Sequence, residues 1–199
     1  MPAGWYVRHV SSEDGLLAGV AQRVNALGQP AAPVTLDYFG DLQCPFCKRF
    51  TLEALPPIIE RWVRPGEVRI AYRALETATR DADVFVAQQA AALAAGRQDG
   101  EWSFVEAFYR EQGEENSGYV TEAFLQGIAG RVAGLDLSRW ARDRSDAGLA
   151  DEIAADARAA VEAGLTGTPS FLIGRTGGRV SAFTPADPAS FDAAIETLL

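Results

Sequence analysis

Histidine, cysteine and lysine are almost missing from these 199 residues: the chain has one histidine, His9, two cysteines, Cys44 and Cys47, and one lysine, Lys48, beside 17 arginines. A tetrahedral zinc site draws four ligands mainly from Cys and His, so three such residues argue against a metal centre. A Ser-His-Asp or Cys-His pair would have to recruit His9, and no G-x-S-x-G elbow accompanies it. Within Trp5-Tyr6-Val7-Arg8-His9-Val10 that histidine reads as a surface or partly packed side chain. Long apolar runs are lacking as well. No window approaches the roughly 20 apolar residues of a membrane span, and the N-terminal stretch has neither the basic nor the apolar part of an export signal. With 18 basic against 27 acidic side chains, a net charge of −9, a phosphate-seeking surface is excluded and nucleic acid is not an expected partner.

What is present is ordinary for a folded chain: 48% hydrophobic and 23% charged residues, enough for one well-filled core that carries an insertion. Ser11 and Asp14 resemble a capping box, and Leu17, Val20, Val24 and Leu27 recur at helical spacing up to Gly28, so residues 1–29 are expected to form an N-terminal helical arm. Val34–Phe39 reads as a buried strand. Phe50, Leu55, Ile58, Ile59 and Trp62 then make a helical stripe, which Pro56-Pro57 should kink or split near residue 55. Val68–Arg73 alternates as a second strand, and strand-helix-strand over this length implies a parallel βαβ unit. From 81 to 164 the periodicity is helical throughout. Helices are expected around Phe85, Gln89 and Leu93, around Trp102 to Tyr109, from Phe124 to Val132, from Leu135 to Trp140 and from Leu149 to Ala163. Residues 81–163 hold 16 acidic and 7 basic side chains and so carry the entire net charge. Ser170–Ile173 and Val180–Phe183 flank a glycine-rich turn as an antiparallel hairpin, and Asp187 caps a last helix bearing Phe191, Ile195 and Leu198.

Cys44-Pro45-Phe46-Cys47 falls where the first buried strand turns into a helix. A disulfide across so short a loop removes little chain entropy, so as a staple it gains almost nothing. Reversible electron exchange is the better use. The helix N-terminus stabilises a thiolate at Cys44, with Lys48 and Arg49 one turn on, while Cys47 lies deeper and suits the resolving role. A bare C-x-x-C is a weak signal, but one at the strand-to-helix junction of a βαβ unit is strong.

Two stretches, Ala32-Pro33-Val34-Thr35-Leu36-Asp37-Tyr38-Phe39-Gly40-Asp41-Leu42-Gln43-Cys44-Pro45-Phe46-Cys47 and Gly164-Leu165-Thr166-Gly167-Thr168-Pro169-Ser170-Phe171-Leu172-Ile173, resemble the DsbA-like branch of the thioredoxin superfamily. The resemblance implies an α/β thioredoxin-like fold (βαβ…ββα) over 30–80 and 165–199 with an all-helical insertion at 81–164. It implies catalytic Cys44 and Cys47 and a substrate-binding surface of Pro45, Phe46, Thr168 and a cis Pro169 whose loop faces the cysteines. No cofactor beyond the cysteine pair and no metal is called for. The activity implied is thiol-disulfide exchange with cysteine-containing client proteins, as an oxidant outside the cytoplasm with a signal or anchor removed, re-oxidised by a quinone-linked membrane partner of the DsbB or VKOR type. Nothing suggests a dimer patch, so a monomer is expected. A reductase or isomerase, a cytoplasmic location, and a non-catalytic peptide-binding or chaperone-like module are the alternatives. Two positions depart from the family: Phe46 stands where a thiolate-stabilising histidine is frequent, implying a weaker oxidant. Tyr38 stands where a buried acid is frequent, with Asp37 one residue earlier on the opposite face of the strand.

Overall fold

The computed structural model describes residues 15–185 and 187–199, and of Pro188 the backbone alone. The described residues form a six-stranded sheet in the order β1 (Gln22–Arg23), β2 (Ala26–Leu27), β4 (Val68–Ala74), β3 (Val34–Gly40), β5 (Ser170–Arg175) and β6 (Val180–Phe183). Its centre is β3 (Val34–Gly40), buried along its whole length, beside β4 (Val68–Ala74). These two pair in parallel from Val34 opposite Val68 to Gly40 opposite Ala74. On the other side β5 (Ser170–Arg175) runs antiparallel to β3 and continues into the β6 edge (Val180–Phe183). Val34, Leu36 and Tyr38 face one side of the sheet and Thr35, Asp37 and Phe39 the other, and because both faces are covered all six are buried.

The expected N-terminal helix is not formed over the described part. Residues 15–21 make turns, and Gln22–Arg23 (β1) and Ala26–Leu27 (β2) form a small hairpin that extends the sheet, with Leu27 opposite Ile70 of β4. Leu27 is fully buried, and Gly19 and Gly28 take positive φ, which no helix interior accepts. The apolar spacing therefore served a packed edge ribbon. His9, Ser11 and the rest of the arm up to Asp14 lie outside the described residues.

The helix after β3 stays helical from Pro45 to Val63 but changes register twice: α1 (Pro45–Arg49), a π turn (Phe50–Ala54), α2 (Leu55–Ile58) and a second π turn (Ile59–Val63). The first π turn lets α2 start afresh at Leu55. Pro56 and Pro57 thus fall in a first turn, where the missing N–H is least costly. Five helices follow: α3 (Ala82–Gly96), α4 (Glu101–Glu111), α5 (Glu122–Ala129), α6 (Leu137–Asp143) and α7 (Gly148–Glu162). Val132 lies beyond the end of α5 in a turn, one helical repeat later than the chain sustains. A last helix, α8 (Pro188–Leu198), starts from a capping box of Asp187 with Ser190.

One core unites sheet and helices. On one face of the sheet Leu36, Tyr38, Ile70, Tyr72, Phe171 and Ile173 pack with Phe50 and Leu55 of the first helix, Trp102 and Tyr109 of α4, and Phe191 and Ile195 of α8. On the other face Phe39 and Leu172 meet Ala160 of α7. The mixed sheet with helices on both faces and α3–α7 inserted between β4 and β5 is the α/β thioredoxin-like arrangement that the sequence implies.

Candidate active site

β3 ends at Gly40, and the following turn delivers Cys44 as the N-cap of α1, with Pro45 at its first position. Pro45 and Phe46 are exposed, whereas Cys47 is fully buried and Cys44 nearly so. Both sulfurs are free thiols. Across from them the Thr168–Pro169 peptide bond is cis. The Thr168 carbonyl accepts a hydrogen bond from Cys44 Sγ at 3.4 Å. Phe46, Thr168 and Pro169 line one open groove of about 470 Å³, completed by Phe50, Phe171, Pro185 and Phe191. The six residues singled out by the sequence are therefore gathered at the carboxyl end of β3.

The two thiols are electrostatically unlike. Cys44 is lowered from 9.0 to about 6, first by its hydrogen bond with the Cys47 thiol and further by the Thr168 hydroxyl and the backbone N–H groups of Cys47 and Phe46, against the opposing effect of burial. This is the N-terminal turn of a helix acting on an anion. Cys47 is raised well above 9.0, mainly because burial disfavours its charge, and then because it serves the Cys44 thiolate as donor. The cations play a smaller part than expected. Lys48 Nζ donates to the Gln112 carbonyl at 3.4 Å, and the Arg49 guanidinium lies 5.5 Å from the centroid of the Phe46 ring. Neither is among the groups that hold Cys44 down.

Asp37 points away from the thiols. Its carboxylate meets Arg73 Nε at 3.3 Å, and Arg73 also binds Asp156 of α7 at 2.9 Å, on the opposite face of the sheet. Beneath Cys47 lies Tyr38, whose hydroxyl sits 3.4 Å from the Cys47 carbonyl, 3.3 Å from Thr51 Oγ1 and 3.4 Å from the Tyr109 hydroxyl. Burial holds the Tyr38 phenol well above its ordinary value, so it stays protonated.

Three polar residues that sequence reasoning did not single out also build the site. Gln112 Nε2 donates to the carbonyls of Leu42 at 2.7 Å and Cys44 at 3.2 Å. Asn116 receives Arg80 N on its side-chain oxygen, donates to the Ala78 carbonyl and offers its backbone N–H to Gln43 Oε1. Asp41, completely buried, is hydrogen-bonded to the loop after β4. Only Asp41 left a trace in the sequence, as a charged residue between a buried strand and the C-x-x-C. No cluster of His, Cys, Asp and Glu fit to hold a metal ion exists among the described residues.

Comparison with known proteins agrees with this geometry. The family model described as Thioredoxin matches residues 21–197. A probable disulfide bond formation protein D of Bacillus anthracis is 25% identical over 149 residues, covering 74% of this chain and 68% of that protein. A stretch of the Na(+)/H(+) antiporter NhaA 1 of Salinispora arenicola is 32% identical over 151 residues, 76% of this chain but 22% of the antiporter. Among solved structures, oxidised BdbD from Bacillus subtilis superposes with a TM-score of 0.75 at 20% identity, covering 89% of this chain and 96% of that one. The chain belongs to the thioredoxin family. Its activity is that of a thiol-disulfide oxidoreductase.

Proposed function

We propose that the chain oxidises cysteine pairs in client proteins, with Cys44 as the sulfur that exchanges with the client and Cys47 as the resolving thiol. The observation that carries this reading is the contrast between them: one sulfur held near pKa 6 at the groove, the other buried and raised. A client thiolate attacks Cys44 of the oxidised Cys44–Cys47 disulfide, forming a mixed disulfide and releasing Cys47, which takes up a proton. A second client thiolate then attacks the client sulfur of that bond. The client leaves with a disulfide, having lost two electrons, and Cys44 leaves as a thiolate, a good leaving group at neutral pH because of its low pKa. A stabilised Cys44 thiolate favours the reduced protein and so makes its disulfide oxidising. Pro45, Phe46, Thr168 and Pro169 are the client-binding surface, where an extended peptide lies beside the Thr168 backbone.

Reduced client proteins incubated with oxidised wild type should gain disulfides, and Cys47→Ala incubated with a disulfide-bonded client should accumulate mixed disulfides through Cys44, each formed as the Cys44 thiolate opens the client disulfide and releases one client thiolate, visible by non-reducing electrophoresis and mass spectrometry. Trapping through no residue, or trapping unchanged in Cys44→Ala, would overturn the assignment. The equilibrium potential against glutathione separates oxidant from reductase, since the family spans roughly −270 mV for thioredoxin to about −120 mV for DsbA. The Phe46 position points to a value less oxidising than the upper limit. A peptide-binding module with an idle pair would instead keep client binding and show no oxidation.

Continuous turnover needs an oxidant for the dithiol, and we assign this to a quinone-linked membrane protein of the DsbB or VKOR type, with the chain working as a monomer outside the cytoplasm. Two facts support a membrane-side location: the match to a segment of an antiporter chain, and the name of the Bacillus relative as a disulfide bond formation protein. No described helix is long and apolar enough to cross a membrane by itself.

A further inference from the structure

Asp41 is fully buried and forms no ion pair among the described residues. Its two carboxylate oxygens accept from six donors instead. Oδ2 takes the backbone N–H groups of Thr77, Ala78 and Thr79 at 3.1, 2.8 and 2.8 Å. Oδ1 takes Gln43 N at 3.0 Å, Thr79 Oγ1 at 2.6 Å and Gln88 Nε2 at 3.3 Å. Three successive N–H groups on one oxygen fix the loop between β4 and α3 much as a bound anion would. The main chain of the same residue works on the cysteines: the Asp41 carbonyl accepts from Cys44 N at 2.9 Å and from the Tyr109 hydroxyl at 3.1 Å.

The loop held in this way reaches the other side of the site. Thr77 Oγ1 is hydrogen-bonded to Thr168 Oγ1. Thr168 in turn carries the carbonyl 3.4 Å from Cys44 Sγ and the hydroxyl that supports the thiolate. Asp41 is thus bonded to both halves of the site, through its backbone to Cys44 and through its carboxylate, Thr77 and Thr168 to the cis-proline loop. We propose that Asp41 is a positioning residue for thiol-disulfide exchange, setting how Thr168 presents its hydroxyl and carbonyl to the Cys44 sulfur. The proposal rests on the reading of Cys44 as the exchanging thiol.

An amide cannot replace this carboxylate: every partner of Asp41 is a donor, so an asparagine side chain in its place would turn its own NH2 group against donors. The test uses the full-length reduced protein, reading the Cys44 titration by ultraviolet thiolate absorbance and the rate at which Cys44 attacks a disulfide-bonded client peptide, alongside the melting temperature. Asp41→Asn should raise the Cys44 midpoint by about one pH unit, and Thr77→Val, which cuts the relay at an exposed residue without burying a new group, by roughly half a unit with the melting temperature unchanged. At pH 6 the exchange rate should fall about twofold in Thr77→Val and about fivefold in Asp41→Asn, in step with the lost thiolate. The double variant should shift less than the sum of the two, because both break one chain of contacts. Thr77→Val carries the test if Asp41→Asn does not fold. Asp41→Asn that melts lower but leaves the midpoint in place, or Thr77→Val with no shift, overturns the proposal. So does a downward shift, which loss of a nearby negative charge alone would produce. Cys44→Ser separates the two readings: the low midpoint must vanish in it, and if it persists the assignment of Cys44 fails rather than the role of Asp41.

Discussion

Cys44 and Glu101 are both acids withdrawn from water, and their surroundings move them in opposite directions. At Cys44 the hydrogen bonds from Cys47, Thr168 and the helix N-terminus outweigh burial, and the pKa falls to about 6. Because the folded value lies below the unfolded one, ionised Cys44 stabilises the reduced protein fully above pH 9, and this stabilisation is lost as the pH falls through about 6. Melting curves of the reduced and oxidised forms should therefore diverge in favour of the reduced form between pH 5 and pH 9, and parallel curves would contradict the assignment. At Glu101, which is 1% exposed with Oε2 unpartnered, burial raises the pKa well above 4.5, helped by Asp156 and Glu152. Here the folded value lies above the unfolded one, so the stability it supports is complete below pH 4.5 and is lost as the pH rises. Glu101→Gln should stabilise at pH 8 by about 1–3 kcal/mol and by much less at pH 4, as read by denaturant unfolding. Phe46, 58% exposed at the groove, is a contact for clients rather than part of the core. Phe46→Ala should raise KM for a peptide substrate about threefold to tenfold with kcat retained, and a change confined to kcat would remove it from the binding surface.

Elements repeat this lesson with backbone in place of side chains. The β5–β6 hairpin closes so tightly at Gly174 that a Cβ there would collide with the Arg179 carbonyl and the Val180 Cα. Gly174→Ala should cost about 2–3 kcal/mol, measured by thermal or chemical unfolding, because main chain cannot yield as a side-chain tip does. Most helices and the long strands of this chain were legible because each carries its own period: Trp102, Val105 and Phe108 in α4, or Leu125 and Ile128 in α5. The β1–β2 ribbon was not, since two-residue strands have no period and Leu27 was committed by its pairing with Ile70 rather than by its neighbours in sequence. Much of the site could be read from Cys44, Cys47 and the Thr168-Pro169 segment, which are contiguous motifs. Gln112, Asn116 and the loop at Thr77 could not, because they reach the site from elements 36 to 73 residues away in sequence. The π turns escaped for a different reason: proline spacing shows where a helix must adjust but not that it can do so by changing register.

Over the whole molecule, the acidic helical insertion is not a separate body. Trp102 and Tyr109 of α4 enter the same core as Tyr38 and Tyr72 of the sheet, the Trp102 ring lying 6.2 Å from each of those two rings. Gln88, Gln112 and Asn116 add polar ties from the insertion to the cysteine turn. Unfolding should be one cooperative transition with equal calorimetric and van't Hoff enthalpies, and two resolved transitions would show that the insertion folds by itself. The unequal thiols also set how the midpoint potential varies with acidity. Reducing the disulfide takes two electrons, and below about pH 6 it takes two protons as well, because both sulfurs end as thiols. Above that point Cys44 remains a thiolate while Cys47, raised well above 9.0, still collects its proton, so a single proton accompanies the electron pair. A plot of potential against pH should therefore descend by about 59 mV per unit in acid and bend near pH 6 to about 30 mV per unit.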